Sequence, residues 1–219
     1  MKKITVLFCL TLFFAHGVGS TQEFTKGSKT LYQAPFATWP KAGSAYGFAG
    51  PEGGFYVLEA TSNTWMGPGS FIPITILPGD FILDISFQVV RREDCSLNIT
   101  LSDSDSARGY SQLDFFLDLW QSSAPTFSIY ENWVEKDFNV SIRRRFAERM
   151  MMKQALSATN WGIPNKLSIK REGNNVWFYL KGEEVYSFQS PTFPVKKLGI
   201  GLSFKSKVLL RSVVAKVPQ

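Results

Sequence analysis

The sequence has very few of the residues that most often carry out nucleophilic or metal chemistry. It contains one histidine, His16, and two cysteines, Cys9 and Cys95. His16 and Cys9 both fall in a segment with the features of a secretory signal peptide. Loss of that segment would leave no histidine and one cysteine. This argues against Ser-His-Asp and Cys-His catalysis, against histidine-ligated zinc and against an internal disulfide.

The remaining cysteine lies in the alternating segment CSLNITL, residues 95–101. Cys95 shares one side of this predicted strand with Leu97, Ile99 and Leu101. A cysteine in such a set is typical of a small buried apolar side chain rather than of a nucleophile.

Long apolar runs are absent apart from one near the start. Lys2 and Lys3 precede an apolar run of twelve residues, 4–15, and small residues follow it. The pattern predicts a signal peptide over residues 1–20, cut before Thr21, because the run is well short of the ~20 residues that span a bilayer. We therefore expect a bacterial exported protein without a transmembrane segment, located in the periplasm, on the outer surface or outside the cell.

Apart from Lys2 and Lys3, the net positive charge of the chain comes from one segment. The formal net charge is +6, and Lys2 and Lys3 contribute two of these charges. Residues 143–153 include five basic residues and one acid, Glu148, so this segment carries the remaining excess. A local patch of this kind argues against nucleic acid as the main partner. It predicts either a solvated basic surface or a contact with phosphate, lipopolysaccharide or another anionic surface.

The sequence is rich in short segments that alternate apolar and polar residues. Examples are FILDISFQVV (81–90), CSLNITL (95–101) and QLDFFLDLW (112–120). Similar segments recur about every ten residues, with predicted hairpin turns at Gly173-Asn174-Asn175 and Lys181-Gly182-Glu183. The pattern predicts an all-β fold, an antiparallel sandwich or barrel.

About two hundred residues would remain after signal-peptide removal, which suits one domain over residues 21–219. We expect an N-terminal arm to about residue 50, with one strand near Thr30–Gln33. The segment KAGSAYGFAGPEGG, 41–54, is rich in glycine and alanine and predicts a loop. In RRRFAERMMMKQAL, 143–156, Phe146 and Met150 recur at helical spacing, which predicts a short helix near residues 145–157, with a long excursion of the chain as the alternative.

The order of segments in the C-terminal half resembles a known fold. NKLSIKREGNNVWFYLKGEEVYSF, KKLGIGLSF and VLLRSVVAKV follow one another from residue 165 to residue 217. They resemble the end of the concanavalin A-like lectin/glucanase jelly roll, and are similar to laminin G-like domains and to the domain of 3-keto-disaccharide hydrolase-like proteins. The resemblance extends over residues 54–217 and implies an antiparallel jelly-roll β-sandwich. The fold hosts lectins, glycosidases and protein-binding modules, so it does not by itself give the function.

The resemblance implies that the outer face of the concave sheet binds sugar. Sugar sites need carboxylates and amides for the hydroxyl groups and flat rings for the apolar faces of pyranoses. The polar sides of three successive predicted strands offer both kinds of residue. The predicted ligand-binding set is Asp84, Gln88, Asn98, Gln112, Asp114, Phe116, Asp118 and Trp120, with Asp114, Asp118 and Trp120 at its centre.

The preferred function is non-catalytic binding of a carbohydrate or cell-surface glycan, and two alternatives stay open. The first is a glycoside hydrolase, since Asp114 and Asp118 match the outer positions of the E-x-D-x-E motif of laminarinase-type relatives. Phe116 replaces the middle aspartate, however, and residues i and i+4 of a strand lie about 13 Å apart, against the ~5–5.5 Å between carboxyl groups of a retaining pair. A carboxylate from another strand, Asp84 or Glu131, could form a different pair. The second alternative is an envelope module that binds a protein partner.

No cofactor is predicted. Asp103 and Asp105 in SDSDS, residues 102–106, have the spacing of loop carboxylates that bind calcium. Laminin G-like relatives often bind calcium near the ligand rim, so calcium is an alternative to a plain solvated loop. Two carboxylates are too few to establish a site.

Overall fold

Two antiparallel sheets packed face to face form the fold. The computed structural model describes residues 28–44, 47–62, 69–77, 79–103, 109–119, 125–135, 140–151 and 160–218. Within these ranges there are fifteen strands and one short 3₁₀ turn, Phe36–Thr38. No helix in this part of the chain is long and apolar enough to cross a membrane.

The strands follow one another along the whole chain. In order they are β1 Ser28–Gln33, β2 Ala42–Ser44, β3 Gly47–Glu52, β4 Phe55–Ala60, β5 Gly69–Leu77, β6 Phe81–Arg92, β7 Cys95–Ser102, β8 Gly109–Leu119, β9 Thr126–Glu135, β10 Val140–Met151, β11 Asn165–Glu172, β12 Asn175–Leu180, β13 Glu183–Gln189, β14 Val195–Ser203 and β15 Ser206–Pro218. One sheet has nine strands in the order β13-β12-β11-β6-β15-β4-β3-β2, with β1 also paired to β15. The other has six, in the order β10-β9-β8-β7-β14-β5.

Two very short connections cross from one sheet to the other. Glu93 and Asp94 join β6 to β7, and Phe204 and Lys205 join β14 to β15. β6 pairs with β15 in the nine-stranded sheet, and β7 pairs with β14 in the six-stranded sheet. The connections lie side by side, because the Glu93 amide donates to the Lys205 carbonyl at 3.4 Å and the Ser206 hydroxyl donates to the Asp94 carbonyl.

The core fills the space between the sheets. The apolar side of each alternating segment faces inward, as the sequence predicts, and Cys95 is fully buried there. Phe115 of β8 stacks on Phe178 of β12, with ring centroids 4.6 Å apart and planes at 13°. This contact joins the two sheets at the centre of the sandwich. The inward side chains of β6 that the alternation predicts are all buried: Phe81, Leu83, Ile85, Phe87 and Val89.

The predicted all-β sandwich is confirmed, and so are several local features. β1 includes the strand predicted near Thr30–Gln33. The hairpin turns at Gly173-Asn174 and Lys181-Gly182 join β11 to β12 and β12 to β13. Gly173, Lys181 and Gly182 have φ values of 54°, 54° and 90°, the left-handed conformations that tight hairpin turns use.

The glycine-rich segment 41–54 is paired where a loop was predicted. β2 and β3 continue the nine-stranded sheet beyond β4. Gly47, with φ 147°, shows why glycine occurs here: an added Cβ would lie 2.0 Å from the Glu59 carbonyl oxygen. The lack of side chains thus allows β3 to approach β4 closely.

The helix predicted near residues 145–157 is wrong for residues 145–151, which belong to β10. β10 pairs with β9, and its register shifts twice, between Arg145 and Ala147 and between Ala147 and Met150. Such bulges place extra residues in one strand and break the two-residue period. A spacing of four residues fits a strand as well as a helix, because both place residues i and i+4 on one side. Residues 152–157 lie outside the described ranges.

Candidate functional site

Polar side chains line the outer side of the six-stranded sheet, away from the core, and most of them are buried. Strand register aligns the residues of this side in rows: Asp114 lies between Thr100 and Tyr130, and Phe116 lies between Asn98 and Ser128. We call this surface the polar face. Its residues are Ser96, Asn98, Thr100 and Ser102 of β7, Gln112, Asp114, Phe116 and Asp118 of β8, and Thr126, Ser128, Tyr130 and Asn132 of β9.

Asp114 is the centre of a hydrogen-bond network on the polar face. Its Oδ1 accepts from the Thr100 hydroxyl at 2.6 Å. Its Oδ2 accepts from the Gln112 amide at 2.8 Å and from the Asn132 amide at 2.6 Å. The side chain is 4% exposed, so these donors replace water around the carboxylate. Asp114 thereby fixes the orientation of one hydroxyl and two amides.

Asp118 is held in a similar way at the next polar position of β8. Its Oδ1 accepts from the Ser96 hydroxyl at 2.6 Å, and the residue is buried. Both aspartates therefore accept hydrogen bonds from hydroxyl groups of β7. This arrangement suits ordered hydrogen bonding better than nucleophilic attack or proton transfer, for which a carboxyl oxygen must reach the substrate.

Aromatic rings lie among these polar groups. Phe116 and Tyr130 contact edge to face, with centroids 5.9 Å apart. The guanidinium of Arg145, on β10, lies 5.9 Å from the Tyr130 ring and forms an ion pair with Glu148. Trp120, the third aromatic residue of the predicted site, lies outside the described ranges.

Asn98 lies on the polar face next to the glycines of β14. Its Oδ1 is buried and accepts no hydrogen bond from the part of the chain that the structure describes. Across the strand pair, Gly201 of β14 is its register partner, and Gly199 is the partner of Thr100. Glycine has no side chain, so β14 adds none to the face next to this acceptor.

Asp84 and Gln88, both in the predicted site, lie on the other sheet. They point outward from β6, so the full thickness of the sandwich separates them from Asp114. The Gln88 amide donates to the Gly162 carbonyl at 2.7 Å and accepts from Arg211 at 2.8 Å. The structure therefore does not bring all the predicted residues onto one face. It brings together Asn98, Gln112, Asp114, Phe116 and Asp118.

Solved structures share this arrangement of strands at low sequence identity. An endo-acting O-glycanase that human gut microbiota express to initiate mucin breakdown aligns with a TM-score of 0.59 and 12% identity, over 87% of this chain and 100% of that one. The catalytic domain of a laminarinase from Thermotoga petrophila gives 0.55 and 8%, over 88% and 98%. A Bacillus subtilis protein of unknown function with a galectin-like fold gives 0.55 and 10%, over 88% and 99%. The chain has the concanavalin A-like jelly-roll fold.

No family model and no curated protein matches the sequence of this jelly roll. At 8–12% identity, the structural likeness establishes the fold. Function must therefore be argued from the residues of the site.

The jelly roll has an ion-pair network around Asp84, on the nine-stranded sheet. Asp84 accepts from the Ser168 hydroxyl at 2.6 Å, and its Oδ2 lies 3.0 Å from Lys166 Nζ and 3.1 Å from Lys216 Nζ. Burial by itself raises the pKa of Asp84. The hydrogen bonds from Ser168 and the two lysines, with the charge of Lys166, outweigh burial and hold the pKa below its ordinary value of 3.8.

We expect this network to make stability depend on pH. A carboxyl whose pKa is lower in the folded state stabilises the protein above its unfolded-state pKa. That contribution is lost as pH falls through the lower folded-state pKa. Asp84→Asn should reduce the free energy of unfolding by about 1–3 kcal/mol at neutral pH, and the difference from wild type should shrink in acid. Urea unfolding at a series of pH values measures it, and a difference that does not change with pH would contradict the assignment.

Metal-ligating groups are not concentrated in the described portion of the jelly roll. No cluster of three or more histidine, cysteine, aspartate or glutamate side chains occurs there. Asp103, one of the two residues considered for calcium, accepts from the Ser111 amide at 2.6 Å. Asp105 lies outside the described ranges.

β9 supplies residues that the sequence prediction missed. Asn132 binds Asp114, and Tyr130 contacts Phe116. The signal was present, because TFSIYENWV alternates and places Thr126, Ser128, Tyr130 and Asn132 on one side. Finding these residues required knowing that β9 is the neighbour of β8 in the sheet.

Proposed function

We propose that the protein is an exported, non-catalytic glycan-binding domain and that the polar face binds the sugar. The observation that carries this proposal is the position of the Phe116 and Tyr130 rings among hydroxyl, amide and carboxylate groups on one side of a sheet. Rings cover the apolar face of a pyranose, and the polar groups bind its hydroxyls. A sugar combines both kinds of surface.

The hydrogen-bond network suggests a division of roles. Asp114 binds the amide nitrogens of Gln112 and Asn132. These two amides are therefore held in fixed orientations and can meet ligand hydroxyls with little loss of entropy. The Oδ1 atom of Asn98 supplies an acceptor beside the glycines of β14. Asp118 would hold Ser96 in the same way, and Trp120 would extend the aromatic surface beyond the end of β8.

Proteins of the same fold support the choice of glycan as the ligand class. One of the aligned structures is a glycanase that initiates mucin breakdown, and another is a laminarinase. Because this support is an analogy of fold, it raises the expectation of a carbohydrate ligand without naming one.

Binding is favoured over hydrolysis by the positions of the carboxylates. Asp114 and Asp118 are both engaged by β7 hydroxyls. Glu131 is the register partner of Leu113, on the inward side of the sheet, and its carboxylate accepts from Ser190. Asp84 lies in the other sheet. Glu131 is therefore on the opposite side of its own sheet from Asp114, and Asp84 is on the other side of the core. Neither can pair with Asp114 across a substrate on the polar face.

The proposal is tested by glycan-array binding of the chain from residue 21, followed by titration of any ligand found. Gln112→Ala removes an oriented amide from the polar face, and we expect binding to weaken about tenfold, as for a lost hydrogen bond of roughly 1–1.5 kcal/mol. Gln88→Ala is the matched control, because it removes the same side chain from the opposite sheet. It should bind like wild type.

Two results would contradict the proposal. The first is equal binding by wild type and Gln112→Ala, with Phe116→Ala and Trp120→Ala also unchanged. The second is shortened glycan products after incubation with wild type, which would favour a hydrolase. Absence of any glycan ligand would favour the protein-interaction alternative.

A further inference from the structure

A recess of about 430 Å³ lies beside the segment 190–194, which crosses from β13 of one sheet to β14 of the other. Its volume is in the range of small-ligand sites. None of the residues predicted from the sequence as ligand-binding lines it. The lining residues are Arg144, Asn174, Gln189, Ser190, Pro191 and Thr192.

A buried arginine lies behind this recess. Arg171 is 1% exposed, and its Nη2 donates to the Pro191 carbonyl and, at 3.4 Å, to the Ser190 hydroxyl. Its Nε and Nη1 have no hydrogen-bond partner among the residues described here. Its Cζ lies 4.4 Å from the Phe193 ring centroid. A guanidinium with unpartnered donors in such a position is costly, so it calls for an explanation.

The charges around the recess do not balance. The Ser190 hydroxyl donates to Glu131 and accepts from Arg171, and so links the two charged groups through one oxygen. Arg144 is the register partner of Glu131 and is exposed at the recess. Arg144 in the lining and Arg171 behind it bring two guanidiniums to the recess. Glu131, in contrast, is bound by Ser190, and Asp80 accepts from the Gly173 amide. Burial lowers the pKa of Arg171, and the charge of Glu131 partly offsets this effect.

We propose that the recess binds an oxyanion, a carboxylate or a sulfate, carried by a sugar. Arg144 contacts the anion, and the amides of Asn174 and Gln189 contact the hydroxyl groups of the same ring. Arg171 adds a fixed positive charge behind Ser190, in a dry environment where charge acts strongly. The sugar part of this proposal rests on the proposed function, whereas the anion part rests on the recess alone.

The test uses glucuronate as probe and glucose as its neutral counterpart, at constant ionic strength. Ligand that binds the folded state raises the Tm in a concentration-dependent way. We expect glucuronate, and glucose 6-sulfate, to raise the Tm of wild type and glucose to have no effect. Arg144→Gln should weaken glucuronate binding at least about tenfold, as loss of a charge-assisted hydrogen bond does.

Arg145→Gln is the matched control for Arg144→Gln. The two arginines are neighbours on β10, but Arg145 lies near Tyr130, whereas Arg144 lies at the recess. Arg145→Gln should keep the glucuronate response. Equal loss in both variants would show general charge attraction and overturn the proposal, as would the absence of a response in wild type.

Two further outcomes separate this proposal from the polar face. Loss of the glucuronate response in Gln112→Ala, with the response kept in Arg144→Gln, would place the anion on the polar face and overturn the recess site. If glucuronate raises the Tm of Gln112→Ala but not that of Arg144→Gln, the result supports the recess. This holds even if no neutral glycan binds the protein. Equal responses to acetate and to glucuronate would overturn the sugar part.

Discussion

Phe115→Ala is expected to lower the free energy of unfolding by about 3–5 kcal/mol, the usual cost of removing a buried phenylalanine. Phe115 is 1% exposed and stacks on Phe178 across the sandwich, and its ring centroid also lies 6.3 Å from that of Phe127. Both neighbours are rings held in their own strands, so they cannot easily fill the space that the side chain leaves. Equilibrium unfolding in urea measures the loss.

Phe116→Ala is the control for this prediction. Phe116 is the next residue of the same strand, but it points to the polar face and is partly exposed. We expect a smaller cost, about 1 kcal/mol, since its ring is only partly buried and its loss leaves no enclosed cavity in the core. Equal losses for the two variants would mean that the assignment of inward and outward sides of β8 is wrong.

Arg171→Ala is expected to cost about 3–5 kcal/mol as well, because it removes one partner of a buried charged network. The substitution leaves the Pro191 carbonyl and the Ser190 hydroxyl without their donor and removes the favourable charge interaction between Arg171 and Glu131. It also opens a cavity against Phe193. Thermal and urea unfolding of the two proteins give the difference.

Arg171→Met separates the loss of charge from the loss of volume. Methionine fills most of the space with apolar atoms, so the variant opens little cavity, although Glu131 still loses a positive partner. We expect this variant to be less destabilised than Arg171→Ala and to respond less to glucuronate than wild type. An alanine variant as stable as wild type would show that the Arg171 contacts do not hold the 190–194 segment.

Local alternation was enough to predict the inward residues of the central strands. Over residues 81–89 of β6 and 113–119 of β8, every inward position is apolar and most outward positions are polar, so the two-residue period identifies the inward side. The two tight hairpin turns could be predicted for a similar reason, since glycine and asparagine accept the left-handed backbone that these turns need. These features depend on residues within a few positions of each other.

Sheet membership could not be predicted in this way. A two-residue connection usually joins neighbours in one sheet, yet Glu93 and Asp94 lead β7 away from β6 into the other sheet. The grouping of Asp84 and Gln88 with Asp114 failed for this reason. The network of Asp114 depends on the register of three strands, and no single segment contains that information.

The inward position of Arg171 could be predicted from the alternation of β11 but not from residue type. Leu167, Ile169 and Arg171 alternate on one side of β11, so the period places the arginine inward. Arginine is rarely fully buried, and composition alone therefore argues for the surface. Arg171 can be buried because Ser190, Pro191 and Phe193 pack around it. These residues are distant in the sequence, so the sequence alone does not show this contact.

The paired crossings at 93–94 and 204–205 have a consequence for strand register. β6 and β15 pair in one sheet, and their continuations β7 and β14 pair in the other, so the four strands form one two-stranded ribbon that bends around the core. Arg92 pairs with Ser206 just before the fold in the ribbon, and Ser96 pairs with Ser203 just after it. A slip of one residue between β6 and β15 would thus be carried into β7 and β14 and would turn side chains to the wrong face in both sheets. Deleting one residue from a single crossing would shift the alignment of Asn98 with Gly201. The alignment of residues on the polar face therefore depends on the pairing of β6 with β15 in the opposite sheet.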